Sequence, residues 1–244
     1  ELIARLGMRC GVLPTAWDDA NSNAALLPEL VVQARALEMK YFRDMEVYEV
    51  VDRYELERTG GKLIDTRWID TNKADELNPE YRSRLVGREF NDGKDDSLYA
   101  STPPLESLRL VVSWAATIAR SGGRHDHELM INDVRRAYFY AKASRDLFVE
   151  IPDEDPRKKP GLVGRLKLCL YGTRDAAKSW QRTLTEHLEK IGFRRGRGHI
   201  SVFYHPERGI KTLVHGDDYC SAGKREDLDW LQAELEKGYE LKTQ

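Results

Sequence analysis

The sequence predicts an α+β fold, because helical and strand patterns are interspersed without a regular strand–helix–strand repeat. Apolar residues recur at helical spacing in 105–119, 173–191 and 226–239. Short apolar runs such as 129–131 and 210–214 are instead typical of strands. No internal repeat is present. We therefore expect sheets with helices packed on them rather than a parallel, doubly wound sheet.

The first hundred residues predict one helix and several strands. Residues 1–30 have no sustained period and are interpreted as a leader or linker. The run VVQARALEMKYF at 31–42 fits a helix. Gly60-Gly61 predicts a turn that joins the strands on either side of it into a hairpin. The strands of this region are expected at 47–51, 62–70 and 81–86.

The strongest helix pattern follows Pro103-Pro104, where Leu105, Leu108 and Val112 begin an apolar face that continues to Ala119. Thr102 is expected to be its N-cap, and Gly122-Gly123 its end. The remaining elements are expected as strands at 129–131, 147–151, 164–170, 202–204 and 210–214, and as helices at 173–191 and 226–239.

Composition excludes several classes of protein. The 244 residues are 41% hydrophobic and 33% charged, as in soluble globular domains, and no apolar run reaches the about 18 residues that cross a bilayer. The N-terminus lacks a signal-peptide pattern. Three scattered cysteines, Cys10, Cys169 and Cys220, favour a reducing compartment over a disulfide framework. A net charge of −2 argues against nucleic-acid binding through bulk charge, although a local cluster would suffice.

Acidic residues follow two short apolar strands. Asp133 follows the strand at 129–131, and Asp217 and Asp218 follow Gly216 in a tight turn between two strands. If these strands are neighbours, Asp133 and Asp217 meet across the sheet. Carboxylates are the ligands that Mg²⁺ prefers, and two ions about 3.5–4 Å apart can drive phosphoryl transfer. Because successive strand residues face opposite sides, we expect Asp217 to be a stronger ligand than Asp218. Taken alone, Gly-Asp-Asp is more often a simple turn.

Six further sequence segments, which occur in a fixed order, are more specific than the Gly-Asp-Asp alone. They are Lys62–Ile69, Tyr81–Val86, Ser101–Arg109, Asn132–Ala137 with Leu147–Pro152, Leu170–Trp180, and Ile191–Phe193. Together with the Gly-Asp-Asp they resemble the reverse transcriptase of copia-type retrotransposon polyproteins over residues 35–244. The chain departs from that pattern at His215-Gly216, where the family has Tyr-Val. It also departs at Asp175 and Ala177, where the family has Gln and Pro.

The resemblance implies a right-hand polymerase with fingers and palm. The palm would be an antiparallel, ferredoxin-like sheet backed by helices, and the chain would stop before the thumb. The implied division is a leader at 1–35, fingers at 36–99, palm at 100–146, returning fingers at 147–170 and palm at 171–244.

The resemblance also implies the site residues. Asp133, Asp217, Asp218 and the carbonyl of Val134 would hold two Mg²⁺ ions, which Mn²⁺ could replace. Tyr138 would exclude a 2′-hydroxyl. The nucleotide would also contact Arg82, Arg84, Tyr171 and Gly172.

Other candidate residues have simpler alternatives. The basic residues Lys190, Arg194, Arg195 and Arg197 would neutralise template phosphates, or form a solvated turn. The sequence His125-Asp126-His127-Glu128 resembles a metal site but is interpreted as a surface loop, and Cys220 as a packing residue.

The resemblance implies an RNA-directed DNA polymerase within a retrotransposon Pol polyprotein. Its partners would be a primed RNA or DNA template, deoxynucleotides, and the RNase H, integrase and protease parts of the polyprotein. It would act in cytoplasmic virus-like particles or in the nucleus, without a membrane. Two alternatives remain open: a decayed or co-opted fragment that binds nucleic acid without catalysis, and an RNA polymerase of the Gly-Asp-Asp type. The aromatic Tyr138 disfavours the second alternative, because those polymerases usually carry an aspartate there.

Overall fold

The computed structural model describes residues 17–22, 24–75, 77–90, 102–120 and 127–243. The chain divides into two compact units. Unit 1 comprises Glu1–Lys94 and Lys142–Ala176, and unit 2 comprises Asp95–Ala141 and Ala177–Gln244. Among the described residues, no helix combines the length and the apolar character needed to cross a membrane.

The described part of the chain mixes helices and strands, as expected. Its helices are α1 (Pro28–Asp44), α2 (Arg53–Thr59), α3 (Leu105–Arg120), α4 (Ala176–Lys190) and α5 (Arg225–Glu236). Its strands are β1 (Trp17–Asp18), β2 (Ala25–Leu26), β3 (Tyr48–Asp52), β4 (Lys62–Asn72), β5 (Tyr81–Arg88), β6 (His127–Val134), β7 (Leu147–Val149), β8 (Leu162–Leu166), β9 (Arg194–Arg195), β10 (Val202–Tyr204), β11 (Lys211–His215), β12 (Asp218–Lys224) and β13 (Leu241–Thr243).

Unit 1 is built on a five-stranded sheet in the order β3-β8-β7-β4-β5, next to the small pair β1-β2. Its strands are antiparallel except for the parallel pair β4 and β7. All three residues of β7 are buried, as expected for a strand in the middle of a sheet. Helix α1 packs against β5.

The predicted hairpin between 47–51 and 62–70 is wrong. Helix α2 separates the two strands, because Asp52 caps it by accepting a hydrogen bond from the Tyr54 amide at 2.8 Å and Gly60 ends it with a φ of 63°. Consequently β3 pairs with β8, whereas β4 pairs with β5 and β7.

Unit 2 contains a six-stranded antiparallel sheet in the order β13-β6-β12-β11-β10-β9. Helices α3 and α5 pack against it. Val111 and Ala115 of α3 form a buried cluster with Leu213 and Ala222, and Cys220 packs against that cluster. The packing role predicted for Cys220 is therefore confirmed.

Several element boundaries differ from the expectations. Helix α3 begins at Leu105, so Thr102 lies too far upstream to be its N-cap, and β8 ends at Leu166 rather than 170. Helix α4 begins at Ala176 rather than 173, because Gly172 turns the chain with a φ of 85° and the Thr173 amide closes that turn on the Leu170 carbonyl.

Other differences concern segments interpreted as irregular. His127 and Glu128 begin β6 instead of belonging to a loop. Strands β1 and β2 and the start of α1 lie in the segment interpreted as a leader. Gly122, Gly123, His125 and Asp126 lie outside the described residues.

Candidate active site

The two adjacent aspartates lie in a tight hairpin, as the sequence predicts. His215 and Asp218 are paired across β11 and β12, which leaves Gly216 and Asp217 as the two-residue turn. Gly216 has a φ of 65°. A glycine with positive φ at the first central position is typical of type II′ turns, which suit the twist of a hairpin. The local sequence therefore determines the shape of this turn.

The hairpin brings its acidic residues to Asp133. Strands β12 and β6 are antiparallel neighbours, with Asp218 directly opposite Asp133. Side chains of directly opposed residues lie on the same face, with Cβ atoms about 4.5–5.5 Å apart. The Val134 amide donates a hydrogen bond to the carbonyl oxygen of Asp217 at 2.9 Å, which holds the turn against the end of β6. The neighbouring strands were predicted, but the residue opposite Asp133 is Asp218 rather than Asp217.

The electrostatics at the hairpin reflect both burial and neighbouring negative charge. Partial burial, followed by the charges of Asp217 and Asp133, raises the pKa of Asp218 above its ordinary value, against a smaller opposing effect of His215. Mutual repulsion of this kind is relieved by a cation between the carboxylates.

The donor set fits a hard divalent cation. Carboxylate oxygens are the ligands of Mg²⁺, which also retains water and is completed by substrate phosphates. Within the described ranges, no group of three or more His, Cys, Asp or Glu side chains is arranged so that it could by itself hold a metal ion. Water and substrate oxygens would therefore have to complete the coordination.

A tryptophan of the segment Leu170–Trp180, which the sequence predicts to lie in a helix, supports the hairpin. The indole N–H of Trp180 in α4 donates to the Gly216 carbonyl at 2.7 Å, and the side chain is 1% exposed. The rings of Tyr140 and Tyr239 lie against it, at centroid distances of 6.5 and 5.3 Å. Helical spacing explains why Trp180 is buried, but no local signal indicates its contact with Gly216.

Tyr138 lies close to the same hairpin. It is half-buried in a short 3-10 helix, Ala137–Tyr140, which follows Arg136 with a φ of 53°. Together with His215 and Gly216 it lines a cavity of 220 Å³. The proposed exclusion of a 2′-hydroxyl by Tyr138 stays a prediction.

The predicted nucleotide-binding residues of unit 1 lie near one another. The guanidinium of Arg84 is 5.1 Å from the centre of the Tyr171 ring, and Arg82 is two residues earlier on the same face of β5. The Gly87 amide donates to the Tyr171 carbonyl at 2.7 Å. A Cβ on Gly172 would lie 2.1 Å from the Gly87 carbonyl oxygen, so this close approach requires glycine.

An ion-pair network that was not predicted anchors this turn. Glu89, whose side chain is fully buried, accepts from Arg145 at 2.8 and 2.9 Å and from the Arg174 amide at 2.9 Å. Arg145 also donates to Asp175 at 2.6 Å. Hydrogen bonds to both carboxylates raise the pKa of Arg145. Asp175 departs from the family's glutamine, and its long-range partner could not be identified from local sequence.

The predicted basic cluster is exposed in unit 2. Lys190 ends α4, Arg194 and Arg195 form β9, and Arg197 follows. Arg195 is 3.9 Å from Glu189. It also lines a groove of 400 Å³ with Lys178 and Arg182, two basic residues that were not predicted. Their i, i+4 spacing on the polar face of α4 is the signal that could have identified them.

Comparisons with known proteins agree with this arrangement. The family described as "Reverse transcriptase (RNA-dependent DNA polymerase)" matches residues 45–243. Two Retrovirus-related Pol polyproteins of Arabidopsis thaliana, from transposons RE1 and RE2, are each 28% identical over 174 residues. Those matches cover 66% of this chain and 11% of each polyprotein, so the chain is similar to a short part of them.

A solved structure shares the fold. Apo telomerase from Candida tropicalis, truncated from its C-terminal domain, superimposes with a TM-score of 0.50 at 8% identity. The match covers 94% of this chain and 58% of the telomerase chain. At this identity the likeness concerns the fold alone.

Proposed function

Because this chain belongs to the reverse transcriptase (RNA-dependent DNA polymerase) family, we propose that it adds deoxynucleotides to a primer 3′-OH on an RNA or DNA template. It would do so as the polymerase segment of a retrotransposon Pol polyprotein, the kind of protein to which it is similar. The RNase H, integrase and protease of such a polyprotein would be its partners, in cytoplasmic virus-like particles or in the nucleus.

In this proposal unit 2 is the palm and unit 1 the fingers. The antiparallel sheet of unit 2, with α3 and α5 packed on it, supports the assignment of most of 100–146 and 171–244 to the palm, whereas 142–146 and 171–176 of those ranges belong to unit 1. The sheet of unit 1 supports the assignment of 36–99 and 147–170 to the fingers.

One observation carries the proposal: Asp218 lies directly opposite Asp133 at the turn that contains Asp217. The three carboxylates, with the Val134 carbonyl, would hold two Mg²⁺ or Mn²⁺ ions. When bound, such ions stabilise the charge that develops on the attacking and leaving oxygens of an in-line displacement. The hairpin and β6 supply fixed positions for these ligands, because backbone hydrogen bonds hold both strands.

The other residues would bind and select the nucleotide. Arg84, and Arg82 beside it, would bind triphosphate oxygens through their guanidinium groups. Tyr171 and Gly172 would support the new base pair. The half-buried ring of Tyr138 would exclude a ribose 2′-hydroxyl.

The exposed basic residues would bind the template. Lys190, Arg194, Arg195 and Arg197 would neutralise phosphates, and Lys178 and Arg182 would extend this surface along α4. Such contacts are independent of base sequence and weaken as salt concentration rises.

Extension of an oligo-dT primer on poly-rA with Mg²⁺ tests the proposal. We expect incorporation of dTTP that falls by at least about 10²-fold in Asp133→Asn, Asp217→Asn and Asp218→Asn. The matched control Asp229→Asn, on the exposed side of α5, should retain activity. Tyr138→Ala should admit ribonucleotides.

Two results would contradict this assignment. If neither the chain nor a longer polyprotein that contains it extends a bound primer, the protein is a non-catalytic nucleic-acid-binding fragment. If the unmodified chain already prefers ribonucleotides, and Tyr138→Ala leaves that preference unchanged, it is an RNA polymerase.

A further inference from the structure

Four side chains form one row across the sheet of unit 2, on the face that carries the acidic residues. Lys242 of β13 lies directly opposite Asp133 of β6. Asp133 is in turn opposite Asp218, and Asp218 is opposite His215. Side chains of directly opposed residues share a face of the sheet, with Cβ atoms about 4.5–5.5 Å apart. A lysine is therefore the lateral neighbour of the paired carboxylates.

Hydrogen bonds and an ion pair fix β13 on both sides of Lys242. Before it, the Arg135 amide donates to the Glu240 carbonyl at 2.9 Å, and the Arg135 guanidinium is 2.7 Å from the Glu240 carboxylate. After it, the side-chain amide of Asn132 donates to the Thr243 hydroxyl at 2.9 Å. The register of Lys242 therefore does not depend on its own side chain, and substitutions there should leave the strand in place.

The ammonium group of Lys242 is available to these carboxylates. The residue is exposed, and it forms no ion pair with any residue that the structure describes. The carboxylates beside it repel one another, since partial burial and the charges of Asp217 and Asp133 raise the pKa of Asp218. An ammonium on a long, flexible stem can relieve part of this repulsion, as a metal ion would.

We propose that Lys242 is a counter-ion of the acidic site, which competes with divalent cations for Asp133 and Asp218 and so weakens the binding of a free cation. The inference rests on the proposed role of these two carboxylates as metal ligands. The interaction of a directly opposed charge pair corresponds to a change of up to about fivefold in an equilibrium constant. Because substrate phosphates complete the coordination of Mg²⁺, the site thereby favours a cation that arrives with its substrate.

Titration of the full chain with Mn²⁺, without nucleotide or nucleic acid, tests the proposal. Free Mn²⁺ is measured by electron paramagnetic resonance at constant ionic strength. We expect Lys242→Met to lower the Kd for Mn²⁺ about threefold to fivefold, and Lys242→Glu to lower it at least as much. Lys242→Arg keeps the charge and should leave the Kd within about twofold. The matched control is Lys237→Met, which removes the same charge from a lysine that is paired with Glu234 outside the row, and it should leave the Kd unchanged.

The titration decides the matter independently of polymerase activity. Equal Kd values for Lys242→Met and the unmodified chain would overturn the proposal. So would an equal decrease in Lys237→Met, which would mean that only net charge matters, or no saturable binding in any variant. A chain that fails to extend a primer, but binds Mn²⁺ more tightly in Lys242→Met, contradicts the proposed polymerase activity and supports the role of Lys242. If circular dichroism shows that Lys242→Met is unfolded, the comparison of Lys242→Glu with Lys242→Arg is decisive.

Discussion

The indole N–H of Trp180 donates to the carbonyl oxygen of Gly216 at 2.7 Å, so α4 is attached directly to the turn that contains Asp217. Trp180 is buried and also contacts the ring of Tyr239, at a centroid distance of 5.3 Å. A residue of the helix core thereby supports the geometry of the acidic hairpin. The position of the hairpin depends on packing as well as on strand pairing.

Replacement of Trp180 by phenylalanine tests this support. The variant keeps an aromatic ring but leaves the Gly216 carbonyl without its donor, so we expect a loss of about 1–2 kcal/mol in unfolding free energy by urea denaturation. Trp180→Ala also removes the packing and should cost about 3–5 kcal/mol. An unchanged unfolding free energy in Trp180→Phe would mean that the hydrogen bond to Gly216 contributes nothing beyond the packing of the ring.

The close approach of Gly172 to Gly87 predicts that replacement by alanine lowers the unfolding free energy more at position 172 than at a glycine in open space. Gly172→Ala places a Cβ 2.1 Å from a carbonyl oxygen at a φ of 85°, and should lose more than about 3 kcal/mol or fail to fold. Gly60 is the matched control, with a φ of 63° and nothing within 4 Å. Gly60→Ala should lose about 1 kcal/mol. If chemical denaturation gave similar losses of unfolding free energy for Gly172→Ala and Gly60→Ala, the steric explanation would be contradicted.

The network of Glu89, Arg145 and Asp175 predicts an acid-dependent loss of stability. Burial raises the pKa of both carboxyls, but hydrogen bonds from Arg145 and its charge outweigh burial and hold each pKa below its ordinary value. A lowered folded-state pKa contributes stability that is present above the unfolded pKa and is lost as pH falls through the folded one. Stability should therefore fall below about pH 4.5, near the ordinary value for Glu.

Glu89→Gln should identify the group responsible. At neutral pH it removes a buried charge from the network, and we expect a loss of about 3 kcal/mol in unfolding free energy. Its stability should also change less steeply with acid. Asp44→Asn, at an exposed i, i+4 pair with Lys40, is the control and should have no measurable effect. If the unfolding free energy of Glu89→Gln falls with acid as steeply as that of the unmodified chain, Glu89 is not the origin of the acid-dependent loss.

The repulsion at Asp218 predicts opposite effects of one substitution with and without metal. Without metal, Asp218→Asn should be slightly more stable than the unmodified chain, because it relieves repulsion from Asp217 and Asp133. With Mg²⁺ at a hundredfold excess over Kd, the unmodified chain should gain about 2.7 kcal/mol and melt several degrees higher. Asp218→Asn should show little of this gain in calorimetry, so with Mg²⁺ it should be less stable than the unmodified chain, and Asp133→Asn should likewise show little gain. An equal shift with K⁺ at matched ionic strength would indicate screening instead of a site.

Much of the fold could be predicted because its signals are local. The helix that begins with Leu105 and the strand at 202–204 are observed nearly where expected. The face predicted for that helix is wrong in part, because Leu105, Leu108 and Val112 are exposed and Val111 is buried instead. The hairpin around Gly216 was predicted because glycine readily adopts the positive φ that a two-residue hairpin turn requires. The hairpin between 47–51 and 62–70 failed, since the capped helix α2 separates these strands and each pairs elsewhere.

Part of the candidate site could likewise be predicted from local sequence, and part could not. By itself, the sequence determined that Asp133 ends a strand and that Asp217 and Asp218 lie at a tight turn, since apolar runs and glycine act over a few residues. Only the tertiary structure decided that Asp218 lies opposite Asp133, that Trp180 holds Gly216, and that Glu89 and Asp175 share Arg145. Strand register and buried ion pairs join residues 30 to 85 positions apart, and their partners are selected by packing of the whole unit, which no short segment encodes.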